Sequence, residues 1–101
     1  MSATTYDVEH FLNKFRAIPE ELWLIGCYSV WTKPQSHCAL GHCGRDIDFS
    51  TDESNGLAHL FFSHGLRVTN TNDGLDDRFP QPTPKQRIIA ALEFIKEKGT
   101  V

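Results

Sequence analysis

Long apolar runs are missing from this 101-residue chain. The longest near-apolar stretch, residues 22–31, is broken by Gly26 and Ser29 and is about half of a membrane span, so no membrane segment is expected. Cysteine is scarce: Cys27, Cys38 and Cys43 are all there is. Residues 1–5 set no basic start before an apolar stretch, so we expect no signal peptide. An odd, small thiol count without such a leader points to a reducing cytoplasm, not to a disulfide framework. Basic excess is missing too. Ten Lys and Arg against thirteen Asp and Glu leave a net charge of −3, which argues against a nucleic-acid groove. There is no phosphate-binding glycine loop, no Gly-x-Ser-x-Gly elbow, no lipidation site, no repeat and no low-complexity tract. What is present, 40% hydrophobic and 23% charged residues, excludes a disordered tail, a collagen-like repeat and a coiled coil. The length leaves room for one core and hence one domain over residues 1–101.

Periodicity then locates the elements. Val8, Phe11, Leu12 and Phe15 recur at i, i+3, i+4 and i+7, extended by Ile18, and predict a helix over residues 5–18 capped by Thr4 or Thr5. Residues 22–31, LWLIGCYSVW, are rich in aromatic and β-branched types and predict a strand bent at Gly26. Lys33-Pro34-Gln35-Ser36 reads as a turn. Residues 37–44 read either as a hairpin's return strand or as a short helix capped by Ser36 and closed by Gly44; the lack of β-branched bulk favours the helix. The acid-rich residues 46–53 are expected in solvent, ending in a capping box, Ser50-Thr51-Asp52-Glu53. The helix that follows spans 51–64, with Leu57, Leu60 and Phe61 inward and Gly65 and Leu66 as a Schellman ending. Residues 67–70 read as extended, and Asn72-Asp73-Gly74 as a turn. Thr83-Pro84-Lys85-Gln86 is the clearest helix start in the chain, opening a helix over 84–98 that faces inward through Ile88, Ala91, Leu92 and Ile95 and stops at Gly99. The expected class is α+β and mainly helical, with three principal helices and a short strand or hairpin around 22–31 and 67–70.

Taken in order, Trp23-x-x-Gly26, Cys38-Ala39-Leu40-Gly41, the Asn72-Asp73 turn and a last helix announced by Thr83 resemble a family of small bacterial and phage-borne proteins with no established activity. The resemblance covers roughly residues 8–95 and implies a fold and a bacterial or phage context. His42 stands where that pattern carries a small or apolar residue.

The densest chemical cluster is His37-Cys38-x-x-x-His42-Cys43. On a helix Cys38 and His42 share a face, and a cysteine in a first helical turn favours its thiolate. Cys38 as nucleophile with His42 as its proton partner is therefore one reading. His59 and His64 are further bases, and Asn70, Asn72 or Asp73 could orient the imidazole. The same atoms offer a zinc reading through Cys38, His42 and His59, or Cys27. That spacing matches no standard finger, and no metal or other cofactor is expected. Residues 69–77 fail the EF-hand pattern, because Pro80 stands where its final Glu belongs. Trp23 and Trp31 are core anchors if buried and binding anchors if exposed. With Asn70, Asn72 and Asp73 they form the candidate binding set. The preferred reading is a small cytoplasmic binding protein contacting a protein or small molecule, with no nucleic acid or membrane partner. Host interaction or anti-defence is the role the phage resemblance suggests. A thiol-dependent enzyme at Cys38 is the alternative, and a zinc-stabilised module comes third.

Overall fold

The computed structural model describes residues 6–26, 29–30, 33–45 and 50–98. Thr4, Thr5, Cys27, Trp31, Asp46, Asp48 and Gly99, which entered the expectations above, lie outside them. The fold is α+β and mainly helical. The elements in order are α1 (Val8–Arg16), a 3₁₀ turn (Glu20–Leu22), β1 (Ser29–Val30), β2 (Lys33–His37), α2 (Ala39–His42), α3 (Asp52–Phe62), α4 (Val68–Asp73) and α5 (Pro84–Lys98). Among the described residues no helix is long and apolar enough to cross a membrane.

The three long helices follow from the apolar periodicity. Helix α1 buries Phe11, Leu12 and Phe15, and α5 buries Ile88, Ala91, Leu92 and Ile95. These faces pack on one another, and ion pairs from Arg16 to Glu93 (3.0 Å) and from Lys96 to Glu9 clamp the rim of the contact. Helix α3 adds Leu57 and Phe61 to the same core. Glu53 at its start takes His10 (2.5 Å) and Lys14 (3.3 Å) of α1.

Several local expectations give way to the observed geometry. Helix α1 starts later than residue 5, because the Asp7 carboxylate accepts the His10 N–H at 2.9 Å and makes Asp7 the cap. The capping box of α3 is shifted by one residue: Thr51 and Ser54 exchange the two bonds, not Ser50 and Glu53. The Schellman ending of α3 forms as expected. Gly65 has φ +75°, its N–H reaches Phe62, and the Leu66 N–H reaches Phe61.

Residues 22–31 do not form one strand. A 3₁₀ turn ends at Leu22, Trp23 makes an isolated bridge to His37, the chain bends at Gly26, and among the described residues of this range only Ser29–Val30 is strand. Its antiparallel partner is Lys33–His37, the segment read as a turn. Proline is compatible with this strand because both strands of a two-stranded ribbon are edge strands, where a missing ladder N–H is tolerated. Residues 67–70 and the Asn-Asp turn are also corrected. Val68–Asp73 is a helix, closed by Gly74 in the left-handed conformation.

Candidate functional site

Most of the residues singled out in the sequence converge on α2, a single helical turn. Cys38 is its cap residue, in extended conformation, and the Cys38 carbonyl accepts the His42 N–H at 2.9 Å. Residues 37–44 are thus strand up to His37 and helix from Ala39, with Cys38 and not Ser36 at the cap. Beyond the helix Gly44 has φ +96°, and a Cβ there would lie 2.8 Å from the Thr51 methyl; no other residue fits that turn.

Asn72 of α4 joins this turn to the rest of the fold. The residue is 1% exposed, and its side-chain amide makes three hydrogen bonds, one accepted and two donated. Its Oδ1 accepts the Ala39 N–H at 3.1 Å. Its amide hydrogens go to the Leu24 carbonyl at 2.8 Å and to Asp73 Oδ1 at 2.9 Å. Asp73 Oδ1 also accepts the Gly26 N–H at 3.0 Å. The Trp-x-x-Gly, Cys-Ala-Leu-Gly and Asn-Asp segments are therefore three sides of one buried joint.

Trp23 is buried in that joint, not exposed. Its ring lies 5.3 Å from Phe15 and 5.1 Å from His42, and the His42 ring lies 5.1 Å from His37. The acceptor opposite His42 Nε2 is the Leu22 carbonyl, at 2.9 Å. A carbonyl cannot donate, so Nε2 carries the hydrogen and Nδ1 is the bare nitrogen. Burial, opposed by that hydrogen bond and reinforced by His37 and Lys14, lowers the His42 pKa to about 4. Burial also pushes the Cys43 thiol up to about 12, with Glu53 adding to the effect. Cys38 is 6% exposed, and both Cys38 and Cys43 stand as thiols. At neutral pH the joint therefore holds an uncharged imidazole and a protonated Cys43.

The remaining candidates lie elsewhere. Asn70 is exposed on α4, and His59 is exposed on α3. Among the described residues no three His, Cys, Asp or Glu side chains meet as a metal site would require, so Cys38, His42 and His59 are not assembled into one.

His59 instead borders a cleft of about 340 Å³ between α3 and the start of α4. Leu40, Phe62, Leu66 and Val68 supply its apolar walls, and Arg67 stands at the rim. The Arg67 guanidinium lies over the Phe62 ring, 5.9 Å from its centroid. The sequence reading missed Phe62 and Arg67, although a signal was there. Adjacent residues on a helix point about 100° apart, so Phe61 and Phe62 cannot both face one core. Phe61 is buried and Phe62 is 67% exposed.

No family model matches the chain, and no curated protein or solved structure matches it either.

Proposed function

We propose that this chain is a small binding protein that docks on a protein partner through the α3–α4 cleft. The observation that carries the reading is Phe62. Of the described phenylalanines it alone is exposed, and it stands on the wall of the cleft. Covering such a ring contributes about 1.5–3 kcal/mol, and aromatic side chains and arginine are both enriched among the residues that dominate binding energy. The thiols at Cys38 and Cys43 support a reducing, cytoplasmic setting. The resemblance of the motif order to small phage-borne proteins, on which this extension rests, extends the proposal to a host protein as partner. Burial weighs against the thiol-dependent enzyme, because a nucleophilic cysteine needs access and a stabilised thiolate.

The test is photo-crosslinking from position 62. A benzoylphenylalanine there, in bacterial cytosol, should give a discrete adduct that excess unlabelled protein suppresses. The same probe at Leu75, exposed but away from the cleft, should not. Equal adducts from both positions, or none from position 62, would overturn the docking reading.

A further inference from the structure

We propose that the α3–α4 cleft is a receptor for an acidic apolar peptide, a partner segment in which a large apolar side chain stands beside a carboxylate. This rests on the docking reading above and adds the chemistry of the partner. Acids outnumber bases in the chain, thirteen to ten, yet no acid lines the cleft. Its polar side chains are the Arg67 guanidinium, the His59 imidazole and the Thr69 hydroxyl, and Arg67 alone carries a permanent charge.

Arg67 differs from the other described arginines whose bonding is resolved. Arg16 is held by Glu93 at 3.0 Å, and Arg78 by Asp76 at 2.8 Å. Arg87 is buried on three backbone carbonyls. Arg67 has no carboxylate partner among the described residues, only the face of Phe62. A guanidinium over a ring, with no carboxylate of its own, keeps N–H groups available for a two-pronged bond to a carboxylate. Beside it the walls of Leu40, Phe62, Leu66 and Val68 accept an apolar body. A volume of about 340 Å³ is small for a cofactor and suits one or two side chains. A single cation with one histidine is too little charge to grip a nucleic-acid backbone, which needs several phosphate contacts.

The experiment uses a matched set of short synthetic peptides with the same leucine and phenylalanine positions, spaced by Glu, Gln or Lys. Binding is read by fluorescence anisotropy and by amide shifts of the 101-residue chain. The Glu peptide should bind at least about tenfold tighter than the Lys peptide and should weaken in high salt. Its shifts should centre on Phe62, Leu66, Arg67 and Val68. Arg67→Glu should reverse the order of the Glu and Lys peptides, and Arg67→Lys should keep the order with a smaller gap. The Arg67 side chain is exposed, so both variants should melt like the wild type. Gln or Lys peptides that bind the cleft as well as the Glu peptide would overturn this partner chemistry and leave the docking reading intact. Shifts confined to other surfaces, or no shift at millimolar peptide, would also overturn it, and the crosslink from position 62 then judges the docking reading separately. Cleft shifts that depend on protein concentration alone would identify a second copy as the occupant and overturn it too.

Discussion

Cys38 illustrates how one residue can carry a reactive-looking motif in an unreactive place. Its backbone is the extended cap of α2, and the next N–H, that of Ala39, is taken by Asn72. One N–H of the turn is thus already taken, and α2, only four residues long, has little dipole to favour a thiolate. Iodoacetamide should label Cys38 slowly in the native protein and quickly only in denaturant. Cys43, whose thiol burial pushes up to about 12, should follow the same course. Fast, selective labelling of native Cys38 would restore the enzyme reading. At this scale the sequence marked the right neighbourhood: Trp23, Gly26, Ala39, Asn72 and Asp73 do meet. It could not say that they meet as a joint, because an asparagine in a surface turn and a buried one closing three bonds have the same letter. Phe62 was legible in principle from the Phe61-Phe62 pair, while Arg67 was not, since nothing local shows that its charge lacks a partner.

The elements divide in the same way. Helices α1, α3 and α5 carry stripes at helical spacing, and each stripe is the face that the core buries. Helix α5 is integral to that core. Leu92→Asp places an unpaired charge at a fully buried site and should cost about 3–5 kcal/mol, read as a shift of the urea midpoint or as loss of the cooperative transition. A variant that unfolds like the wild type would show that this face is not the core. Helix α4 was illegible for a definite reason. Thr69, Asn70, Thr71, Asn72 and Asp73 are poor helix formers and good turn formers. The missing stability comes from far along the chain. Arg87 of α5 donates to the carbonyls of Thr71 and Asn72, the open end of α4, at 3.2 and 2.8 Å, and to Gln81 at 2.8 Å. A positive group at a helix C-terminus suits the dipole as well as the bonds. Such a long-range cap leaves no trace in the local pattern. The ribbon was misread for the mirror-image reason: residues 22–31 have the composition of a strand, but Asp73 and Asn72 hold Gly26 and Leu24 in a bend.

For the molecule as a whole, the His42 ring makes stability depend on pH in a defined window. In the fold it takes a proton near pH 4, and in the unfolded chain near 6.5. Above 6.5 both states hold it neutral, so it adds no slope. Between 6.5 and 4 the unfolded chain binds a proton that the native one does not, and stability falls as the solution is acidified. Below 4 both are charged and the loss levels off. For a half-buried ring partly screened by solvent the total is about 1–2 kcal/mol. Urea midpoints across this window should fall for the wild type, and His42→Gln, which retains a donor toward Leu22, should flatten the fall. An equally steep fall in the variant would assign it to another group. The Asn72 joint has a different consequence, in time. Its bonds reach back 33 residues to Ala39 and 48 to Leu24, so they close only after both halves of the chain have been brought together. Contacts of such sequence separation carry a large loop-closure cost and belong late in folding, after the rate-limiting barrier. Asn72→Ala should therefore leave the refolding limb of the chevron nearly unmoved and speed the unfolding limb by about ten- to a hundredfold. The amide would then act as a latch on the native state's lifetime, setting how long the fold persists once made and having little say in how fast it is reached.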